Sequence, residues 1–451
     1  MKIVIIGGVA AGTKAAAKSK RLLPDSEVDI YTMDTNISYS TCGLPYYIEG
    51  TFEDWRSLIV RPVSEFEKAG INVHTEHKAI KLEPDNKKVI VKNLKTNEIL
   101  KIDYDKLVIA TGATPVTKGF ENVLNKKNFY TLRTLEDGIA IREKMKNSKN
   151  ITLVGGGYIN IEVMEAFVKN DKNVTMIEQK PFIMPILDEE ISALVQNYVQ
   201  EYSNNKVKII NEDRILEFIG DDEIEGILTE KGIGFETDMV VLSIGVKPVV
   251  ELAKDAGIEI GTTGAIKVNS RMETNIPDIY ACGDCAEKVH IISGTSVWIP
   301  LGATANKEGR TAAMNLCGQS KDFEGVLGSY VTRYLGLNIS KTGFTEREAK
   351  ALGYDTVSTI VTKKDKAGYM PDSKNVTLKL VADMRSHEIL GAQAIGCGDA
   401  DAKIDSISVG LANHLEVKDL LDIDLTYSPP FSASVDILHS AARIIQSKLR
   451  N

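Results

Sequence analysis

The pattern that most constrains this chain of 451 residues occurs twice: an apolar strand, a glycine-rich turn, a helix and a second strand. The first copy contains the turn Gly7-Gly8-Val9-Ala10-Ala11-Gly12, and the second contains Gly155-Gly156-Gly157-Tyr158-Ile159-Asn160. Glycines in such a turn let the backbone approach a pyrophosphate held at a helix N-terminus. The repeat therefore predicts an α/β chain with two dinucleotide-binding βαβ units and two bound dinucleotides.

The residues that follow each glycine turn distinguish the two units. Glu178 ends the second strand of the second unit, about 20 residues after the turn, where an acid binds the adenosine ribose. Its carboxylate would repel a 2′-phosphate, so we predict a preference for NADH over NADPH. Asn160 replaces the last glycine and is expected to loosen the contact between helix and strand. In the first unit Thr32 takes the place of the acid, and Asp34 is the nearest carboxylate.

Three later segments also have the character of a nucleotide site. Thr111 and Gly112 follow the apolar strand 107–109, Gly245 follows the apolar strand 239–244, and Asp284 lies at a strand-turn. From about residue 325 the pattern changes to alternating strands such as 376–382 and amphipathic helices such as 406–414. This change predicts a separate C-terminal α+β domain.

Cys42 is followed by no other cysteine for more than two hundred residues. A helix is expected directly after it, because Ser40 and Thr41 can cap and Pro45 suits a first helical turn. Such a position favours a thiolate over a thiol. The functional interpretation is a sulfur that acts without a partner cysteine, by forming a mixed disulfide or a sulfenic acid. The alternative is a small buried apolar residue.

Composition excludes several classes of protein. A net charge of −8 without a polybasic run argues against a nucleic-acid surface. Five cysteines do not suggest a disulfide scaffold, and no apolar run is long enough to span a bilayer. Since the first predicted strand begins directly after Met1-Lys2, we expect no signal peptide. The expected location is the cytoplasm.

With Cys42 between the two βαβ units, the chain resembles the single-cysteine branch of the FAD-dependent pyridine nucleotide disulfide reductases. This branch includes coenzyme A disulfide reductases, NADH oxidases and NADH peroxidases. The resemblance covers essentially the whole chain. It rests on the segments 7–12, 38–42, 110–115, 155–160, 281–284, 299–302, 305–310 and 427–432.

The resemblance implies a fold and an assignment of roles. It implies Rossmann-like FAD and NAD domains, with FAD bound by residues 1–114 and 244–324, NAD by 115–243, and a C-terminal dimerisation domain at 325–451. Cys42 corresponds to the redox cysteine. Tyr427, and less closely Tyr369, correspond to tyrosines that reach the active site of the other subunit of a homodimer. The implied cofactor-binding residues are Gly7, Gly8, Ala10, Gly12, Asp34, Thr111, Gly112, Gly155, Gly157, Tyr158, Glu178, Gly245 and Asp284.

Within the branch, position 10 bears on the substrate. The peroxidases and oxidases carry a histidine in the first glycine turn, and this chain has Ala10, which favours coenzyme A disulfide as the substrate. The implied substrate-binding residues are Lys14, Lys18, Arg21, Ser38 and Thr41, and Lys20 lies on the same helix. The basic residues are equally typical of a solvated helix face. Thr41 stands where the reductases usually have Asn, which leaves the identity of the thiol open.

The predicted activity is the reduction of a small disulfide, with coenzyme A disulfide as the favoured substrate, by NADH through FAD and Cys42. A small thiol would resolve the mixed disulfide, so no second protein cysteine is needed. Alternatives are an NADH oxidase, a persulfide or polysulfide reductase, and a flavin-bearing redox sensor.

Two other groups of residues receive a structural interpretation. Cys282 and Cys285 form a C-x-x-C pair that flanks Asp284, and we interpret them as packing residues rather than a redox pair. His74 and His77 are three residues apart in a predicted strand, which would point their side chains to opposite faces. No metal site is predicted.

Overall fold

The computed structural model describes residues 1–450, which form parallel and antiparallel sheets with helices between them. The strands are β1 Lys2–Ile6, β2 Glu27–Tyr31, β3 Ile71–His74, β4 His77–Glu83, β5 Lys88–Asn93, β6 Ile99–Asp103, β7 Lys106–Ile109, β8 Ala113–Pro115, β9 Phe129–Thr131, β10 Asn150–Val154, β11 Asn173–Glu178, β12 Val207–Asn211, β13 Ile215–Ile219, β14 Gly226–Thr229, β15 Gly234–Glu236, β16 Met239–Leu242, β17 Val246–Pro248, β18 Ile279–Ala281, β19 Lys288–Val289, β20 Ser296–Val297, β21 Tyr330–Tyr334, β22 Leu337–Gly343, β23 Thr356–Lys364, β24 Asn375–Asp383 and β25 Ile389–Gly396. The helices are α1 Ala10–Leu22, α2 Leu44–Glu49, α3 Val63–Lys68, α4 Leu135–Lys146, α5 Tyr158–Lys169, α6 Glu189–Tyr202, α7 Glu251–Asp255, α8 Gly302–Leu316, α9 Glu346–Ala351, α10 Ala400–Leu411, α11 Val417–Asp422 and α12 Ile437–Leu449.

The first compact unit comprises residues 1–116, 133–139 and 246–326. Its central sheet is parallel, in the order β18-β7-β1-β2-β3, and a three-stranded antiparallel sheet, β4-β5-β6, belongs to the same unit. β1 has apolar residues on both faces because helices cover one side and the smaller sheet the other. Helices α1 and α8 pack very closely, since a Cβ on Gly309 would lie 2.3 Å from the carbonyl oxygen of Ala11.

The second compact unit comprises residues 117–132, 140–245 and 327–451. It contains a second parallel sheet, β12-β11-β10-β16-β9, and a five-stranded antiparallel sheet, β21-β22-β25-β24-β23. The predicted helix at 406–414 overlaps α10, which begins six residues earlier at Ala400 and ends at Leu411, three residues before the predicted end. These two parallel sheets and the C-terminal antiparallel sheet confirm the predicted fold class.

Within residues 1–450 no helix combines the length and the apolar character that crossing a membrane requires.

Candidate active site

The first glycine turn connects β1 to α1. At two of its positions, Gly7 and Gly12, there is no room for a side chain. A Cβ on Gly7, which has φ +120°, would lie 2.1 Å from the carbonyl oxygen of Ala110, and a Cβ on Gly12 would lie 1.9 Å from that of Gly7. Ala10 begins α1, and no side chain caps this helix end. The first amides of α1 are therefore available to an anion, as a dinucleotide pyrophosphate requires.

Thr32 lies where the ribose-binding acid was expected. It follows β2 directly, and a Cβ on Gly8 would approach its side chain to 3.0 Å. Asp34 lies beyond it, and its carboxylate accepts a hydrogen bond from Tyr39. Burial, followed by the nearby Glu136, raises the pKa of Asp34. The nearest acid of the first unit is thus engaged by a tyrosine, and its role toward FAD stays a prediction.

Cys42 is exposed and lies on a short 3-10 turn, Thr41–Gly43, immediately before α2. The helix expected after the cysteine is present, with Pro45 in its first turn. The predicted caps are wrong: the N-cap of α2 is Gly43, and neither Ser40 nor Thr41 caps with its side chain. Because α2 has only six residues, its dipole is weaker than a long helix would supply.

Ser38 connects the cysteine segment to the first glycine turn. Its backbone N–H donates to the carbonyl of Gly8 at 2.8 Å, and its own carbonyl accepts from Val60 at the same distance. Ser38 has φ +52°, which is a strained conformation for a residue with a side chain. These bonds hold the segment that ends at Cys42 beside the turn of α1.

Gly112 and Asp284 meet near the end of β7 and β18, while Oγ1 of Thr111 donates to the carbonyl of Val249 at 2.7 Å. Asp284 Oδ2 accepts from Arg133 at 2.9 Å, and a Cβ on Gly112 would lie 3.4 Å from the same guanidinium nitrogen. Asp284 Oδ1 is buried without a hydrogen-bond partner, which suits a hydroxyl donor such as a sugar chain. Arg133 was missed by the sequence analysis because an arginine before a helix start carries no motif.

A buried ion pair shapes the turn that contains Asp284. Lys288 Nζ donates to the carbonyl oxygens of Gly283 at 3.0 Å and Ala286 at 2.9 Å, and lies 3.3 Å from Glu308 Oε1. The other oxygen of Glu308 accepts from the Gly283 N–H at 2.7 Å. Burial raises the pKa of Glu308 to about 7, against the opposing effect of Lys288. The pair fixes this turn from within the core.

Cys282 and Cys285 are both buried, and Cys285 Sγ lies 3.3 Å from the carbonyl oxygen of Cys282. Burial raises the pKa of both thiols, so each is held in its neutral form. A neutral, inaccessible thiol is a poor nucleophile, which agrees with the structural interpretation.

The second glycine turn follows β10 and has the same construction. A Cβ on Gly155, which has φ +95°, would lie 2.4 Å from the carbonyl oxygen of Ser243, whereas the position next to Gly157 is open. Glu178 ends β11, is buried, and accepts hydrogen bonds from the N–H groups of Gly156 at 2.6 Å and Lys180 at 2.8 Å. The carboxylate predicted for the ribose therefore lies against the turn predicted for the pyrophosphate.

Asn160 does not loosen the contact between helix and strand, contrary to the prediction. Its Nδ2 donates to the carbonyls of Val154 at 2.9 Å and Gly155 at 2.7 Å. Its Oδ1 is buried without a hydrogen-bond partner. The amide thus ties the start of α5 to the end of β10, where glycine would only allow close packing.

Two further residues of this unit were predicted to contact a nucleotide. Tyr158 begins α5, and its ring centroid lies 6.1 Å from that of Tyr330. Gly245 has φ +120° and lies after β16, with open space beside it. One turn after Tyr158, Glu162 accepts from Thr332 at 2.9 Å, and burial raises the pKa of Glu162 to about 7. Glu162 belongs to no sequence motif, so nothing in the sequence pointed to it.

Tyr369 and Tyr427 lie on two neighbouring loops of the second unit. Tyr369 and Tyr427 are 75% and 55% exposed, and Phe431, four residues after Tyr427, is 78% exposed. The backbone N–H of Ala367 donates to the carbonyl of Pro429 at 3.3 Å, which joins the two loops. Both tyrosines are thus exposed on loops that one backbone hydrogen bond joins.

The basic residues of α1 divide into two groups. Lys20 and Arg21 line a cleft of about 260 Å³ together with Arg61, which follows the cysteine segment. Lys14 and Lys18 are half-buried on the same helix and do not line this cleft. Lys20 Nζ also donates to the carbonyl of Ser26 at 2.7 Å. The role of Arg61 could not be predicted, because Arg61 is far from α1 in the sequence and comes close to Lys20 and Arg21 only in the folded chain.

The prediction that His74 and His77 face opposite ways is wrong. A turn separates β3 from β4 at residues 75 and 76, and the two imidazole centroids lie 5.8 Å apart. Among residues 1–450, no group of three or more His, Cys, Asp or Glu side chains is placed to hold a metal ion.

Comparison with known proteins places these features in one family. The family model for pyridine nucleotide-disulphide oxidoreductases matches residues 1–309, and the model for their dimerisation domain matches residues 331–438. The chain is 36% identical over 448 residues to the "NAD(P)H coenzyme A polysulfide/persulfide reductase" of Pyrococcus horikoshii, covering 99% of this chain and 98% of the relative.

Two solved structures are similar over the whole chain. The reduced "CoADR-RHD" of Bacillus anthracis gives a TM-score of 0.96 at 31% identity. The match covers 100% of this chain and 80% of the B. anthracis chain. The "NAD-Dependent Persulfide Reductase" of A. fulgidus gives a TM-score of 0.96 at 32% identity. The match covers 99% of this chain and 83% of the A. fulgidus chain. The chain therefore belongs to the pyridine nucleotide-disulphide oxidoreductases, an FAD-dependent family, and carries the dimerisation domain of that family.

Proposed function

We propose that this protein reduces a low-molecular-weight disulfide, with coenzyme A disulfide as the preferred substrate, using NADH, FAD and Cys42. The observation that carries this proposal is the placement of Cys42: exposed, on a turn tied through Ser38 to the first glycine turn. The two cysteines that could form a redox pair, Cys282 and Cys285, are buried and protonated. One reactive sulfur beside a dinucleotide site suits a mechanism in which the substrate supplies the second thiol.

The residues of the first unit fit FAD. The glycine turn at the start of α1 leaves amides for the pyrophosphate, and the buried, unpartnered Oδ1 of Asp284 suits a ribityl hydroxyl. Gly112 lies beside Arg133, which pairs with Asp284, and Thr111 precedes Gly112 after the end of β7. When bound, FAD would supply the two-electron redox chemistry that links NADH to disulfide reduction.

Cys42 performs the covalent chemistry. Its thiolate attacks one sulfur of the disulfide RSSR, which forms Cys42–S–S–R and expels RS⁻. Two electrons that originate from NADH then cleave this mixed disulfide, return Cys42 to the thiolate and release the second RS⁻. Each expelled thiolate takes a proton, for which Tyr427 of a second subunit is a suitably exposed donor.

The basic cleft supports coenzyme A as the thiol. Lys20, Arg21 and Arg61 provide cations for phosphate groups, within the same unit as Cys42. Lys14 and Lys18 on α1, with Ser38 and Thr41 near the cysteine, complete the proposed contacts. The P. horikoshii relative, whose name includes coenzyme A, supports coenzyme A as the thiol.

The dimerisation domain supports a homodimer with an active site shared between subunits. Tyr369 and Tyr427 are exposed on joined loops of that domain, as residues that reach a partner should be. We propose that each contributes to the site around Cys42 of the other subunit.

Several finer assignments are part of the proposal. Glu178 makes NADH the preferred reductant over NADPH. The domain boundaries are those given above, with FAD bound by 1–114 and 244–324 and NAD by 115–243, and the protein acts in the cytoplasm.

A second candidate is a persulfide or polysulfide reductase, in which Cys42 carries a persulfide. The P. horikoshii and A. fulgidus relatives favour it. An NADH oxidase is disfavoured by Ala10, and a redox sensor would turn over little NADH with any acceptor. Comparing NADH consumption with coenzyme A disulfide, polysulfide and oxygen separates these functions.

The proposed function is tested by Cys42→Ser, with Cys397→Ser as the matched control because Cys397 is also exposed. We expect Cys42→Ser to retain FAD and lose reduction of coenzyme A disulfide, while Cys397→Ser keeps both. Turnover of coenzyme A disulfide at the wild-type rate in Cys42→Ser would refute the mechanism.

A further inference from the structure

The loop between α11 and α12 carries Tyr427 and is anchored at both ends. At its start, His439 Nε2 donates to the carbonyl of Ile423 at 3.0 Å, since a carbonyl can only accept. At its end, Lys363 Nζ donates to the carbonyl of Val435 at 2.7 Å. Both anchors are at least four residues away from the tyrosine in the sequence, so they do not by themselves set the conformation of the chain at Tyr427.

Ser432 contacts the chain on both sides of Tyr427. Its hydroxyl donates to the carbonyl of Thr426 at 2.9 Å, and its backbone N–H donates to the carbonyl of Ser428 at 3.0 Å. The Thr426 carbonyl belongs to the planar peptide group that also contains the nitrogen of Tyr427. One serine therefore holds the peptide plane before the tyrosine and the residue after it.

The residues that follow Tyr427 are stiff because of their covalent structure. Two prolines come directly after Ser428, and each has a fixed φ. A residue that precedes a proline is itself restricted, which applies to Ser428. The N–H of Phe431 also donates to the Ser428 carbonyl at 2.9 Å and closes a turn. The freedom that remains lies in the peptide group before the tyrosine, which is the group that the Ser432 hydroxyl binds.

Burial distinguishes the serine from the aromatic residues of this loop. Ser432 is 7% exposed, whereas Tyr427 and Phe431 are both well exposed. Water competes less for a hydrogen bond from a buried hydroxyl than for one on the surface. The loop thus keeps its internal hydrogen bond away from solvent and leaves the phenol free to meet another molecule.

We propose that Ser432 is a positioning residue for Tyr427: its hydroxyl holds the peptide group before the tyrosine, so that the phenol reaches Cys42 of the partner subunit in one orientation. This inference rests on the proposed function, because it takes Tyr427 to be the proton donor to the expelled thiolate. Proton transfer requires a donor within hydrogen-bond reach and correctly oriented. A loop that samples other conformations at the tyrosine therefore protonates the thiolate less often.

The test is a double-mutant cycle that measures kcat/KM for coenzyme A disulfide with full-length holoprotein. Ser432→Ala removes the hydroxyl bond and keeps the backbone bond, and it should lower kcat/KM about fivefold, as loss of one hydrogen bond predicts. Tyr427→Phe should lower it about a hundredfold. The double variant should equal Tyr427→Phe within about twofold, because no phenol is left to position. A general disturbance of the fold would instead add to the effect of Tyr427→Phe.

Ser148→Ala is the matched control. Ser148 is also buried, and its hydroxyl donates to the carbonyl of Lys144 at 2.9 Å in the same compact unit. This variant should keep wild-type kcat/KM. In Ser432→Ala the KM for NADH should stay within about twofold of wild type, because the serine acts only on the step that needs the phenol.

The inference is overturned if Ser432→Ala stays within about twofold of wild type while Tyr427→Phe is impaired, or if the two losses multiply in the double variant. Amide hydrogen exchange of wild type provides a test that needs no variant to fold. The Phe431 and Ser432 amides should exchange more slowly than an unstructured chain, and exchange at the unstructured rate would overturn the inference. Wild-type activity of Tyr427→Phe would refute the proposed role of Tyr427, and the inference with it.

Discussion

Glu178 Oε2 accepts a hydrogen bond of 2.6 Å from the backbone N–H of Gly156, which ties the end of β11 to the second glycine turn. A second bond from the Lys180 N–H fixes the other oxygen. The carboxylate is thus held against the turn in one orientation, where a 2′-phosphate would meet a negative charge.

The first prediction concerns the choice of reductant. Glu178→Ser should lower kcat/KM with NADH about tenfold and raise it with NADPH, because the ribose loses an acceptor and the phosphate loses a repulsive charge. Steady-state rates with both nucleotides and a saturating disulfide measure this ratio. Glu212→Ser is the control, because Glu212 makes no hydrogen bond to the Glu178 carboxylate. An unchanged ratio would show that Glu178 does not select the nucleotide.

The basic cleft predicts a substrate-specific effect. Arg61→Ala should raise KM for coenzyme A disulfide about tenfold and leave KM for a phosphate-free disulfide unchanged, because only the first substrate offers a phosphate to the guanidinium, which otherwise contacts Glu65 and the Phe66 ring. Arg271→Ala is the matched control, since Arg271 does not line the cleft. Equal losses for both disulfides would mean that Arg61 acts through the fold rather than by binding phosphate.

The shared active site can be tested by mixing two inactive subunits. A hybrid dimer of Cys42→Ser and Tyr427→Phe has one site with both changes and one with neither, if Tyr427 acts across the interface. Hybrids should therefore recover about half of wild-type activity. If the tyrosine acts within its own subunit, both sites stay defective and mixing restores nothing. Denaturing and refolding each variant separately gives the baseline.

Glu346 predicts how stability depends on pH in the second unit. Burial opposes its ionisation, yet hydrogen bonds from Lys350, Ser358 and Lys379 lower the pKa of Glu346 to about 2. Its folded pKa lies below the ordinary value of 4.5, so its contribution to stability is present above pH 4.5 and is lost as pH falls toward 2. Glu346→Gln should lower the urea midpoint at neutral pH and flatten its decline in acid. Parallel acid profiles for both proteins would contradict this account.

Sequence patterns predicted the parts of the molecule that depend on local chemistry. Gly7, Gly12 and Gly155 are where a Cβ would clash with backbone, so their identity already fixes the turns. The position of Glu178 at the end of β11 was predicted from its spacing, because the helix and strand between the glycine turn and the ribose-binding acid have a characteristic combined length.

The remaining features depend on contacts between distant segments. Asn160 was misjudged because its effect depends on the carbonyls of Val154 and Gly155, which a position in a motif does not reveal. Arg133 and Arg61 reach their clusters only through folding, and each lies outside any motif. His74 and His77 were predicted to face opposite ways on one strand. The prediction failed because a turn at residues 75 and 76 separates two strands there.

The central claim is that Cys42 alternates between a thiolate and a mixed disulfide with coenzyme A. Intact mass analysis under denaturing, non-reducing conditions tests it on protein exposed to coenzyme A disulfide, before and after addition of NADH. We predict one coenzyme A adduct per chain, located on Cys42 by peptide mapping and removed by NADH. An unmodified Cys42, or an adduct confined to Cys397, would contradict the account.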